Sequence, residues 1–251
     1  MKKRAAFIFA GLAVLGATAA RGAEEAHWGY SGAGGPEHWG TLSAAYAMCG
    51  RGKNQSPIDL TGSIRADLKP LKFSYNTNAR EILNNGHTVQ ANYTPGSSIA
   101  MDGQTFELKQ LHFHSPSEHL IGGKSFPLEG HLVHADEDGN LAVVGVMFVE
   151  GKANAVIAAL WKQMPAQAGG KADLTSRVYA SGLLPRARTY YRYNGSLTTP
   201  PCSEGVMWLV MEEPLSVSRQ QVEAFQKLMG HPNNRPVQPA NARPLRKPMA
   251  R

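Results

Sequence analysis

The stretch TFELKQLHFHSPSEH, residues 105–119, decides how this chain is read. Its first part alternates. Phe106, Leu108, Gln110, His112 and His114 fall on one side of an extended chain, with Glu107, Lys109, Leu111 and Phe113 on the other. Such alternation predicts a strand, and only a strand puts residues i and i+2 on one face. His112 and His114 then converge on one point, where a helix would splay them apart. The chain has 9 histidines, and His112, His114 and His119 crowd into this one segment. An H-x-H pair by itself is weak evidence, because most histidines are merely hydrogen-bonded.

A catalytic zinc takes three protein ligands and keeps a fourth position open. LEGHLVH, residues 128–134, reads as the next strand and offers His131. Gln110 stands two before His112, and Glu129 two before His131, each on the same strand face as its histidine. Metal-bound imidazoles usually donate their second N–H to such an acceptor. The plainer readings are a salt bridge for Glu129 and a half-exposed strand position for Gln110. The H-x-H-x-D-H pattern of metallo-β-lactamase-like hydrolases does not fit. Pro116 stands where its aspartate is needed, Glu118 and His119 come two residues late, and that family needs an α/β chain.

Glycine, proline and asparagine punctuate short apolar runs along the rest of the chain. LAVVGVMFVE (141–150) reads as a strand joined to LEGHLVH by the turn DEDGN, and VMWLVMEE (206–213) as another. Two helices are predicted. NAVIAALWKQM (154–164) has an apolar stripe of Val156, Ile157, Leu160 and Trp161. SRQQVEAFQKLM (218–229) has a capping box of Ser218 and Gln221, with Val222, Phe225 and Met229 inward. Both stripes read as core. At 251 residues, with 42% hydrophobic and 18% charged residues, the chain can bury a core as one unit. The expectation is a single, predominantly β domain of the α+β class over residues 24–240.

Lys2, Lys3 and Arg4 precede the apolar run AAFIFAGLAVLGATAA, which ends in small residues. This reads as a signal peptide, residues 1–19, cut somewhere in 19–23. A retained anchor is the rival, but spanning takes about 20 clean apolar residues. Export to the periplasm or the medium is expected, with no membrane attachment after cleavage. Loss of three basic residues takes the formal charge from +7 to +4. The remaining basic cluster, NARPLRKPMAR (241–251), reads as a flexible, solvated tail, and no nucleic-acid partner is expected. In an oxidising compartment Cys49 and Cys202 are expected to pair, the alternative being two buried thiols.

A further set of motifs runs in order from His27 to Pro239: AHWGYSG, GPEHWG, KNQSPIDL, NNGHTVQ, QLHFHSPSEH, LEGHLVH, LAVVGVMF, YNGSLTTPPCSEGVMW and NNRPVQP. Together they resemble an α-class carbonic anhydrase of the bacterial, exported kind, over nearly all of the mature chain. The resemblance implies a large, twisted, mostly antiparallel sheet with a few short peripheral helices. It implies reversible hydration of carbon dioxide to bicarbonate and a proton by zinc-bound hydroxide, with one zinc ion per chain. His112, His114 and His131 match the zinc ligands, with Gln110 and Glu129 as their outer acceptors. His119 matches a structural histidine.

Thr198 matches the threonine that accepts from the hydroxide and donates to a buried glutamate, here Glu118. Thr199 matches the anion and bicarbonate position. Val133, Val143, Leu197, Val206 and Trp208 match the apolar wall for carbon dioxide. His87 matches the proton shuttle, with Tyr30, Asn85 and Gln90 as candidates to hold a water chain. Ser115-Pro116 and Gln90 depart from the animal pattern, and Gln90 bears on the water chain alone. Esterase activity on small activated esters would follow from the same nucleophile. A non-catalytic exported zinc-binding protein would explain the histidines but not the Thr198–Glu118 pair. An inactive relative would have lost a ligand. A homodimer is compatible with the sequence, which carries no reading of oligomeric state.

Overall fold

The computed structural model describes residues 27–249, so the signal-peptide reading of residues 1–19 lies outside them. Its strands are β1 (Ile64–Ala66), β2 (Lys72–Ser74), β3 (Ala79–Asn84), β4 (Val89–Tyr93), β5 (Ser98–Met101), β6 (Gln104–His114) and β7 (Leu128–Ala135), followed by β8 (Leu141–Glu150), β9 (Lys171–Asp173), β10 (Tyr190–Ser196), β11 (Glu204–Met211), β12 (Leu215–Val217) and β13 (Arg246–Pro248). The helices are α1 (Trp39–Leu42), α2 (Met48–Arg51), α3 (Ala155–Trp161) and α4 (Arg219–Met229).

All thirteen strands join one sheet, whose main path runs β1-β13-β10-β11-β8-β7-β6-β4-β3-β9. Most neighbours are antiparallel, while β1 with β13 and both β11 and β12 with β8 are parallel. The central strand β8 is apolar on both faces, as a strand covered on both sides must be. Its Ala142, Val144, Val146 and Phe148 enter one core, and Val143 and Met147 enter another. Helices α3 and α4 close the first core with Ile157, Leu160, Val222, Phe225 and Met229. The Asn154 side chain caps α3, and Ser218 with Gln221 forms the expected capping box on α4. No helix among the described residues is long and apolar enough to cross a membrane.

Strand β6 corrects the strict alternation expected for it. Leu108 lies opposite His134 but Gln110 lies opposite Val133, so Lys109 is an extra, bulged residue. One inserted residue reverses which side chains face which way. Phe106 and Leu108 therefore join Leu111 and Phe113 in the helix-covered core, and do not share the face of Gln110, His112 and His114. The signal lay in the spacing of those apolar residues, which breaks from two to three between Leu108 and Leu111.

The segment read as a flexible tail is also different. Leu245 is buried in the second core. Arg246–Pro248 pairs with β1, and the Met249 N–H donates to the Ala66 carbonyl. The Arg243 guanidinium donates to the carbonyls of Asn194, Pro239 and Ala240. One apolar anchor and pairing to strands far upstream order this segment, and neither leaves a periodic trace. Cys49 and Cys202 are joined in a disulfide with Cα atoms 5.0 Å apart, tethering the SLTTPPC turn to the segment before NQSPI. Neither cysteine is free.

His134, wholly buried on β7, yields a test of this core. Its Nδ1 meets the Ala142 carbonyl at 3.2 Å and its Nε2 the Tyr75 hydroxyl at 2.8 Å. A carbonyl only accepts, so Nδ1 carries the hydrogen and Nε2 accepts from Tyr75. Burial pushes the His134 pKa down to about 4. Below about pH 6.5 the unfolded chain takes up a proton that the folded chain refuses, so stability falls as pH drops toward 4, by up to ~3 kcal/mol. In urea unfolding of metal-free protein, His134→Gln should flatten this acid limb relative to the parent. Identical pH dependence in the two proteins would contradict the assignment.

Candidate metal centre

Pairing between β6 and β7 assembles the centre. His112 lies directly opposite His131, and His114 opposite Glu129. Residues opposite each other share a face, as do residues two apart on one strand. The three imidazoles consequently meet, with ring centroids 4.6–5.1 Å apart. One ring nitrogen from each lies within 4.8 Å of the others.

The remaining nitrogens are held. His112 Nδ1 meets Gln110 Oε1 at 2.8 Å, His131 Nε2 meets Glu129 Oε1 at 2.8 Å, and His114 Nδ1 meets the backbone carbonyl of Asn233 at 2.7 Å. All three partners only accept, which puts the hydrogens on these outer nitrogens. His112 Nε2, His114 Nε2 and His131 Nδ1 are left with lone pairs toward a common point. Burial keeps the rings neutral: it holds His112 well below the usual histidine range, lowers His131, and brings His114 to about 4. The Asn233 carbonyl escaped the sequence reading, because every residue but its acceptor geometry looks alike at the backbone. Its motif, NNRPVQP, was visible without a role.

Glu118 completes the floor. Its Oε1 accepts from the Arg235 N–H at 2.8 Å, while Oε2 lies 3.6 Å from His114 Nε2 and 4.0 Å from His131 Nδ1. Burial raises its pKa to about 7. The Thr198 hydroxyl is near enough to lower that value, without closing a hydrogen bond of ordinary geometry to Oε2. His114 Nε2 and Glu118 Oε2 are both buried acceptors without a partner. Buried polar atoms are rarely left so. A cation at the point the three rings share would take the His114 lone pair, and a turn of the Thr198 hydroxyl toward Oε2 would answer Glu118. The donor set of three neutral imidazoles suits zinc.

A second cluster, His119, Glu129 and His131, brings ligand-type atoms equally close. Its atoms are already engaged. Glu129 Oε2 accepts from the N–H groups of Glu118 and His119, and Oε1 meets both His119 Nδ1 and His131 Nε2. His119 Nε2 meets the Tyr193 hydroxyl at 2.7 Å. Burial would raise the Glu129 pKa, but the two histidines outweigh it and hold the carboxyl well below its usual range. This cluster is scaffold for the first.

The register also divides the surroundings. One row across the sheet runs Trp208, Val143, Val133, Gln110, Asn92 and Glu81, each opposite the next. It is apolar on one side of the histidines and polar on the other. Val143, Val206 and Trp208 are buried in the second core, with Val133 and Leu197 half-buried against it. The Trp208 ring lies edge-on to His131 at 4.8 Å, and its Nε1 donates to the Ser196 carbonyl. Thr198 is buried and Thr199 half-buried in the turn that follows, where the Cys202 N–H donates to the Thr199 carbonyl.

On the polar side Gln90 stands opposite His112 and donates to Asn92 Oδ1 at 2.7 Å. His87 is half-buried and stacks on Trp28, rings 3.7 Å apart, with Tyr30 edge-on at 6.4 Å. Burial lowers its pKa, helped by His27 and His231. Asn85 is exposed, and its side-chain oxygen accepts from the N–H groups of His87 and Thr88. It builds the turn that presents His87.

Residues 34–249 match the family described as eukaryotic-type carbonic anhydrase. The chain is 48% identical to a carbonic anhydrase of Pectobacterium carotovorum over 220 residues, covering 88% of this chain and 90% of that protein. Among solved structures, a hyperthermostable carbonic anhydrase from an active hydrothermal vent chimney aligns with a TM-score of 0.87 at 54% identity, covering 89% of this chain and all of that one. The α-carbonic anhydrase of Thermovibrio ammonificans, solved with the inhibitor sulfanilamide, gives a TM-score of 0.87 at 52% identity, again over 89% of this chain and all of that one.

The held outer nitrogens generate a prediction. Gln110→Ala and Glu129→Ala each free one imidazole to turn, and should weaken zinc binding roughly 10–100-fold in competition with a chelator. Parental affinity in both variants would show that these contacts do not position ligands.

Proposed function

This chain belongs to the eukaryotic-type, or α-class, carbonic anhydrases, the enzymes of carbon dioxide hydration, and on that premise we propose that His112, His114 and His131 hold one zinc ion while His87 exports the proton. The observation that carries this reading is the convergence of three neutral imidazoles on one point, with His114 Nε2 buried there without a partner. Zinc bound there would supply a water of pKa about 7, a value established for carbonic anhydrase itself and not obtained from this structure. Neutral ligands leave the full divalent charge in place, which a carboxylate ligand would reduce.

Thr198 and Glu118 set the direction of the attacking oxygen. Glu118, with its pKa raised to about 7, accepts only when ionised. In that form its free Oε2 would take the Thr198 hydrogen. Thr198 must then accept in turn, which selects an oxygen that donates and fixes where its lone pair points. Carbon dioxide is neutral and weakly solvated. The wall of Val133, Val143, Leu197, Val206 and Trp208 offers it a place that water holds poorly. Thr199, half-buried in the turn two residues after Leu197, would receive bicarbonate.

Each turnover leaves one proton to remove. Free hydroxide is too scarce near pH 7 to take it quickly, and an imidazole titrates in that range. Half-burial, with His27 and His231, lowers the His87 pKa, which favours passing the proton on. Tyr30, beside the His87 ring, and Gln90, opposite His112, would hold a water chain, with Asn85 shaping the turn. Attack on small activated esters follows from the same nucleophile. The Cys49–Cys202 disulfide supports maturation in the periplasm or outside the cell. A non-catalytic zinc-holding role would leave the apolar wall and the Thr198–Glu118 pair without a use.

Carbon dioxide hydration, followed by stopped flow, should vanish on chelation and return with zinc. Undiminished hydration by protein shown to be metal-free would overturn the reading. His87→Ala should lower kcat roughly tenfold or more in weak buffer while sparing kcat/KM, and added imidazole should restore much of it. Equal loss in kcat and kcat/KM, or no rescue, would remove His87 from the shuttle role.

A further inference from the structure

His87 does not stand alone at the rim. His231 follows Gly230, the left-handed residue that ends α4, and is exposed. Its ring lies 6.0 Å from Tyr30, the same half-buried ring that His87 meets at 6.4 Å. The loop that carries His231 is fastened to both the shuttle and the metal centre. Asn233 Nδ2 donates to the His87 carbonyl at 3.0 Å, and the Asn233 carbonyl accepts from His114 Nδ1. His231 is thus held two residues from an anchor on His87 itself.

We propose that His231 is the outer station of the proton path, a second imidazole that takes the proton from His87 and releases it to buffer. The proposal rests on the reading of His87 as the shuttle. Its chemistry is set by one contact: His231 Nδ1 meets the Pro232 carbonyl at 2.9 Å. The carbonyl only accepts, so Nδ1 carries the hydrogen and Nε2 is the free base. A proton can add at Nε2 without breaking the existing bond. The step balances simply. The His87 imidazolium gives up one ring proton, a bridging water passes one on, His231 Nε2 gains it, and a buffer base removes it.

Electrostatics give the transfer a direction. The titratable groups that act on His87 are His27 and His231, and both are cationic when protonated. Trp28 carries no charge, and burial keeps the Tyr30 phenol neutral. Among the described residues no carboxylate offsets these histidines on His87. A half-buried imidazolium so placed releases readily, and a proton resting on His231 repels a return to His87. His27 also acts on His87, but His231 is the one carried by the loop that joins shuttle and metal ligand.

The test uses zinc-loaded full-length protein with His231→Gln, His87→Ala and the double variant. In weak buffer His231→Gln should lower kcat several-fold with kcat/KM retained, and concentrated imidazole should restore it. NMR titration of the His87 ring, in zinc-loaded and metal-free protein, should move to higher pH once the cationic neighbour is gone. Because the stations act in series, the double variant should be no slower than His87→Ala. If His87→Ala is impaired but His231→Gln changes neither kcat nor the His87 titration, the outer station is wrong and the shuttle stands. If the two losses multiply, the residues work in parallel and the proposal fails. If His87→Ala is itself unimpaired, both readings fall together.

Discussion

The register of β6 against β7 is the constraint on which the site depends. It sets His112 opposite His131 and His114 opposite Glu129. A slip of one residue would send the histidines to the helix-covered face and bring Leu111 and Phe113 in their place. The bulge at Lys109 makes this register compatible with a well-packed upstream half of β6. Phe106 and Leu108 can enter the first core while Gln110 and the histidines enter the cavity face. Structure and chemistry are reconciled within one strand by one inserted residue.

Glu129 makes the register rigid. Its two oxygens hold the backbone of residues 118 and 119 and the rings of His119 and His131. A buried carboxylate is costly unless its lone pairs are used, and here they are. The same group therefore orients a ligand, fixes the turn that presents Glu118, and reaches Tyr193 through His119. Asn233 plays the matching part from the opposite side, linking His114, Phe113 and His87. The three histidines and the rim are tied into one hydrogen-bonded frame, which would keep the proposed proton path and a bound metal in fixed relation.

Much of this was legible in the sequence. The i, i+2 histidines required a strand, His131 on the next strand supplied the third imidazole, and Gln110 and Glu129 announced themselves by repeating one offset. The capping box of α4 was local, and the disulfide was expected from two cysteines behind an export signal, with two buried thiols as the alternative. What stayed hidden was non-local or lay in the backbone. Alternation cannot show a bulge except as a broken spacing. No pattern marks a carbonyl such as that of Asn233 as the acceptor for His114. The parallel pairing of β13 with β1 joins segments with nothing but Leu245 to betray the burial. Asn85 was legible as polar, and its work in the turn depended on the backbone conformation around it.

The central claim is that three imidazoles, and no sulfur or carboxylate, hold one zinc ion. Zinc K-edge absorption on the loaded protein tests it most directly. The account predicts about one zinc per chain, in a shell of light atoms at about 2.0–2.1 Å that includes three imidazoles. His131→Ala should lose one imidazole from that shell or lose the metal altogether. A sulfur neighbour, a carboxylate in place of an imidazole, or a spectrum unchanged by His131→Ala would contradict it.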